Sequence, residues 1–173
     1  MLTRTFAASS LLTLLVASAA PDLLACGDKS LSAGGIRMQR ALAARFPASV
    51  LIYNPAGSRL QGAARELNLL DTLRKVGHQY REVTTAEELQ ASLASGQYNI
   101  VLAHVAEARD LQPALAPSPR VALIAVAYQL SDAEAAEAAT VWRFLIKAPS
   151  LATGYLTTIA DAVRSTTGTP RKA

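Results

Sequence analysis

Four residues carry most of the chemistry open to this chain: Asn54, His104, Lys147 and Cys26. The first three each follow a short apolar run: Val50-Leu51-Ile52-Tyr53 before Asn54, Ile100-Val101-Leu102-Ala103 before His104, and Phe144-Leu145-Ile146 before Lys147. If those runs are parallel strands of one sheet, a carboxamide, an imidazole and an ammonium converge at the crevice beyond the strand ends, where open α/β sheets bind ligands. His104 has several uses there: a hydrogen-bonded structural residue, a wall of a ligand pocket, a phosphohistidine or a transition-metal ligand. Lys147 can bond a backbone carbonyl, or hold an anion together with a helix start near Gly57-Ser58. A single histidine without cysteine or carboxylate at ligand spacing is a poor metal set, and the other one, His78, falls at the opposite end of such a sheet. The pattern therefore names no metal ligand, no catalytic residue and no cofactor.

Composition excludes several classes. The chain has 173 residues, 51% of them hydrophobic and 17% charged, which is enough apolar content for the core of one domain and too little charge for intrinsic disorder. One cysteine rules out a disulfide scaffold, and with two histidines it cannot fill a structural zinc site. The net charge of +4 is small and scattered, so nucleic acid is not an expected partner. There is no glycine-rich phosphate loop after the first apolar run, no nucleophile elbow and no heme-attachment motif.

The amino terminus reads as an address. Met1 to Arg4 is basic, Thr5 to Ala20 is uncharged, and Ala17-Ser18-Ala19 is a small-residue cleavage sequence. That order is a secretory signal, and its apolar stretch is shorter than the ~20 residues of a membrane span. The expected organisation is a signal peptide over 1–20, or to 25 if the chain is a lipoprotein, a leader over 21–47, an α/β domain over 48–165, and a loose tail over 166–173. Leu23-Leu24-Ala25-Cys26-Gly27 has the form of a bacterial lipobox, interrupted upstream by Pro21 and Asp22, so Cys26 is either the lipidated residue or a thiol in the leader. The expected location is periplasmic or otherwise outside the cytoplasm. Membrane anchoring is expected only through Cys26.

Within the leader, Gly34-Gly35 is expected to break the chain before a short helix from Ile36 to Phe46. Arg37, Arg40 and Arg45 make that helix basic: either a solvated face or a surface for acidic partners or anionic headgroups. Beyond it, apolar runs at 49–53, 98–105, 121–127 and 142–147 predict strands, with a more exposed strand over 78–83. Helices are predicted over 57–76, with Leu60, Ala64, Leu67 and Leu70 inward, over 86–95, 106–115 and 132–141, and after Ser150 as cap. Thr85–Glu88 and Ser131–Glu134 have the form of capping boxes. Five strands, each followed by a helix, predict an α/β fold: a doubly wound, five-stranded parallel sheet of order 2-1-3-4-5, flavodoxin-like, with helices on both faces.

Tyr98-Asn99-Ile100-Val101-Leu102-Ala103-His104 and Phe144-Leu145-Ile146-Lys147-Ala148-Pro149 resemble the third and fifth strands of the response-regulator receiver domains of two-component signalling. The resemblance covers roughly residues 48 to 165. It implies that His104 stands at the position of the phosphoacceptor aspartate, and Phe144 at that of the aromatic switch. The acidic residues that hold magnesium are replaced by Asn54-Pro55, and Ala125-Val126-Ala127 supplies no hydroxyl at the end of the fourth strand. Magnesium requires carboxylate oxygens, and phosphoryl transfer of this kind is mostly positioning and charge neutralisation. The expectation is an exported pseudo-receiver without phosphotransfer, a protein-binding or sensory module whose partner face is Ser131 to Arg164. The alternative is a small-anion-binding protein using Asn54, His104 and Lys147, and an enzyme in the same crevice ranks third.

Overall fold

The computed structural model describes residues 27–168. The expected signal segment, Cys26 and the last five residues lie outside the described residues. The elements in chain order are α1 (Gly27–Arg45), β1 (Ser49–Tyr53), α2 (Leu60–Glu66), α3 (Leu69–Val76), β2 (Gln79–Val83), α4 (Ala86–Ala94), β3 (Ile100–His104), α5 (Val105–Leu115), β4 (Ala122–Ala127), α6 (Asp132–Val141), β5 (Leu145–Lys147) and α7 (Ala152–Thr166). All strand pairs are parallel and the order is β2-β1-β3-β4-β5, the doubly wound, flavodoxin-like arrangement expected from the strand pattern.

The central strands are continuous apolar runs because helices cover both faces. Every residue of β3 is buried, and alternation sends its side chains to two different cores. Val50, Ile52, Ile100, Leu102, Ile124 and Val126 face a core shared with α1, α2, α3 and α7. Leu51, Val101, Ala103 and Ala125 face a second core with α4, α5 and α6. β2 is an edge strand, so Gln79, Arg81 and Glu82 point to solvent and Val83 alone is buried.

Several local expectations change. The single helix over 57–76 is two helices, broken at Asn68, which adopts a left-handed φ of 46°. Asparagine tolerates that region better than most residues. The break re-aims the chain so that Leu67 and Leu69 are both buried, and Leu70 is left at the margin of the core instead of in its row. The leader helix does not start at Ile36: α1 runs from Gly27, continuous through Gly34-Gly35. Glycine costs a helix only about 1 kcal/mol each relative to alanine. Its C-terminal end is part of the domain, with Ala43 in the core and Phe46 between the guanidinium groups of Arg164 (4.6 Å) and Arg45 (5.6 Å).

The fifth strand is only Leu145–Lys147. Trp142 ends α6 instead, its N–H donating to the Ala138 carbonyl and its ring buried in the second core. Ser131 and Glu134 form the full capping box. At α4 Thr85 accepts from the Glu88 N–H, but the Glu88 carboxylate reaches one residue further back to the Thr84 N–H (2.9 Å). Ser150 does not cap α7; Leu151 is the cap residue and makes no side-chain bond, while the Ser150 hydroxyl donates to the Leu151 carbonyl. α7 extends to Thr166, one residue into the span expected to be tail.

His78 sits at the N-terminal end of the sheet, buried, with Nδ1 accepting from the Ala48 N–H at 3.2 Å. Burial holds its pKa below the ordinary 6.5. The unfolded chain therefore takes the proton more readily, so His78 contributes its full stability above about pH 6.5 and loses it as pH falls toward the folded value. Urea unfolding between about pH 7.5 and 5.5 should show stability falling with acid by at most ~1.4 kcal/mol per pH unit from this group. His78→Gln, which keeps an acceptor for Ala48, should flatten that slope; an unchanged slope would assign it to other groups.

Candidate functional site

A cleft of about 560 Å³ at the C-terminal edge of the sheet runs from Gly57 and Arg59 after β1 across the start of α5 to the inner side of α6. It lies where the β1, β3 and β4 connections leave the sheet, beside the reversal of strand order between β1 and β3. His104, Glu107 and Arg109 form one wall, Glu134, Glu137 and Trp142 the other.

His104 ends β3 and caps α5, and is 3% exposed. Its Nδ1 accepts from the Ala106 N–H (3.3 Å) and its Nε2 donates to the Tyr128 carbonyl (3.2 Å), so the tautomer with hydrogen on Nε2 fits both bonds. The imidazole thus joins the start of α5 to the residue that follows β4. One turn on, Glu107 Oε2 lies 3.4 Å from Nδ1, buried and without a hydrogen bond of its own.

Tyr128 extends this wiring to α2. Its hydroxyl donates to Glu66 Oε1 (2.8 Å) and accepts from Gln129 Nε2 (3.2 Å), and the Glu66 carboxylate pushes its pKa up. The ring passes so close to Gly62 that a Cβ there would stand 2.7 Å from Cε1, so the close approach requires glycine. Arg59 closes the other side by donating to the Gln129 carbonyl (3.0 Å). The Ser131 hydroxyl and N–H, with Arg59 nearby, hold the Glu134 carboxyl below the usual carboxylate range. Arg109 reaches Glu137 across the cleft at 3.5 Å, an exposed pair of little energetic weight.

The three residues expected to converge do not share this cleft. Asn54 does not line it, and its N–H continues the sheet by donating to the Val83 carbonyl (2.9 Å). Lys147 is exposed on the edge strand and lines a separate cleft of about 430 Å³ with Ser150, Gly154, Tyr155 and Thr158. Phe144 is half-buried against the first core, with the Arg143 guanidinium 5.1 Å above its ring. Of Asn54, His104, Phe144 and Lys147 only His104 lines this cleft, together with Gly57 from the expected anion-binding helix start. Arg59, Glu107, Arg109 and Trp142, which the sequence reading did not single out, stand around it. Glu107 alone carried a sequence signal, three residues beyond His104 and so on the same side of a helix start.

Among the described residues, no three of His, Cys, Asp or Glu come together as a metal-ion donor set. With both imidazole nitrogens bonded to the backbone and Arg59 donating to the Gln129 carbonyl, the geometry describes a braced corner of a doubly wound α/β domain. Comparison with family models, curated proteins and solved structures gave no match.

Proposed function

We propose that the chain is an exported receiver-like domain that has exchanged phosphotransfer for structural bracing and acts by binding a protein partner. The observation that carries this reading is His104: at the end of β3, where the receiver resemblance has its phosphoacceptor, the side chain is buried and bonded to Ala106 and Tyr128. The strand order agrees with the resemblance, and the ends of β1 and β4 carry Asn54 and Ala127. The partner face is Ser131 to Arg164. Its helix α6 has one buried residue, Ala138, and shows solvent Ala133, Ala136 and Ala139; Val141, 51% exposed, stands at the cleft side of its last turn, and Leu151 before α7 is 80% exposed. Apolar side chains that much exposed on a poorly covered helix are suited to burial against a partner.

The test is titration with beryllofluoride and magnesium, followed calorimetrically. Wild type is expected to show no saturable heat. His104→Asp should behave the same, because the restored carboxylate lacks its acidic neighbours at Asn54-Pro55. Saturable binding by wild type would end this reading. A photo-crosslinker at Val141 should give a discrete adduct in cells, and one at Glu87 on α4 should not.

A second reading, a small-ligand receptor, is favoured by the cleft itself, its volume and the facing Arg59, Arg109 and Trp142. It makes a different demand: a thermal shift with a small-molecule anion should vanish in Arg59→Ala or Arg109→Ala and survive Lys147→Ala, because Lys147 lines the other cleft.

A further inference from the structure

A different surface lies across the sheet from α5 and α6, where α1 packs on α3 and α7. Arg37, Met38, Ala41, Ala44 and Arg45 recur at helical spacing along its outward side, and all are exposed. Met38 is 75% and Ile36 45% exposed. From Ile36 to Arg45 the helix carries three arginines and no carboxylate. Arg40 Nε donates to the Lys75 carbonyl at 3.1 Å, which draws the basic end of α3 alongside. The carboxylates of α3 and α7 are Asp71 and Asp161, and both are engaged, by Arg74 (3.2 Å) and Arg164 (2.6 Å). Arg37, Arg40, Arg45 and Lys75 have no carboxylate partner among the described residues. Arg40 and Lys75 stand on the α3 side of α1, and Arg37 and Arg45 on its outward side, with Arg45 beside Phe46 and Arg164.

We propose that the α1–α3 face docks on a bilayer surface carrying anionic lipid. Charge complementarity requires an anionic partner, and the exposed thioether of Met38 on the same side as Arg37 and Arg45 suits the boundary between headgroups and acyl chains. Position favours a bilayer over an acidic protein: α1 begins immediately after Leu23-Leu24-Ala25-Cys26 in the sequence. The preference for a bilayer rests on reading Cys26 as lipidated, because a basic patch strengthens a weak acyl anchor; the demand for an anionic partner rests on the arginines alone. The inference is independent of the cleft and of the pseudo-receiver reading.

The test is flotation of the full chain with vesicles of phosphatidylcholine alone, and with roughly a third phosphatidylglycerol, at low salt and at about 0.5 M salt. Binding should favour the anionic vesicles by more than about tenfold at low salt and lose that preference at high salt. Each removed arginine should weaken anionic binding about fivefold, so Arg37→Glu/Arg40→Glu should abolish the preference while leaving binding to neutral vesicles unchanged. Where loss of the Arg40 contact lowers the melting temperature, Arg37→Glu alone carries the same sign. Met38→Ser should weaken vesicle binding and leave binding of poly-L-glutamate unaltered. Equal binding to neutral and anionic vesicles, or a double variant that binds like wild type, overturns the proposal. So does tight binding of poly-L-glutamate with no preference for anionic vesicles, which would assign the face to an acidic protein.

Discussion

Tyr155→Ala is expected to lower the free energy of unfolding by about 3–5 kcal/mol, the range for removing a fully buried aromatic ring. Tyr155 is 1% exposed in the second turn of α7, and its hydroxyl donates to the Leu67 carbonyl at 3.0 Å. Leu67 is the last residue before the left-handed Asn68, so the bond reaches the point where α2 ends and α3 begins. The side chain both fills the first core and pins α7 to the break between the two helices. Tyr155→Phe keeps the ring and leaves the carbonyl without its donor, a loss of about 1–3 kcal/mol. Urea unfolding of the pair separates the two contributions. If the alanine variant lost no more than the phenylalanine variant, the ring would not be packed as described.

His104→Ala should cost nearly as much, for a different reason. A lost N-cap costs about 1 kcal/mol and an orphaned buried carbonyl about 1–3 kcal/mol, so the expected loss is roughly 2–4 kcal/mol. His104→Asn isolates the parts: its carboxamide oxygen can accept from the Ala106 N–H but does not reach the Tyr128 carbonyl. Asparagine should therefore recover about 1 kcal/mol of the alanine deficit. The measurement is equilibrium denaturation of the three proteins at one pH. An alanine variant as stable as wild type would show that the imidazole does not brace the corner, and would remove the main support for the binding-module reading.

The legible parts of this protein are those written in local patterns. Val50-Leu51-Ile52 and the run from Ile100 to Ala103 are apolar without interruption, which marks strands covered on both sides, and Gln79 to Val83 is mixed, which marks an edge. Ser131 and Glu134 are three residues apart, and the capping box they form needs nothing beyond that spacing. The helix break at Asn68 was not legible, because Leu60, Ala64, Leu67 and Leu70 make a regular row on an unbroken helix. Packing into the first core made a different choice, exchanging Leu70 for Leu69. Trp142 was misplaced for a similar reason: a bulky aromatic before Phe144-Leu145-Ile146 reads as strand, whereas its N–H completes the last turn of α6.

The sequence by itself determined that this chain forms a parallel sheet of five strands in the order 2-1-3-4-5, with His104 and His78 at opposite ends. Hydrophobic periodicity and the handedness of crossovers act on consecutive elements, and both can be read along one dimension. Only the tertiary structure decided which side chains share a cleft. Arg59 comes from the connection after β1, Glu107 and Arg109 from α5, and Trp142 from the end of α6, and their meeting around His104 depends on how α5 and α6 lean on the sheet. Lys147 follows the same strand-end rule as His104, yet it stands on the outermost strand and faces another cleft. Strand ends set the level of a side chain along the sheet, whereas helix packing sets its neighbours.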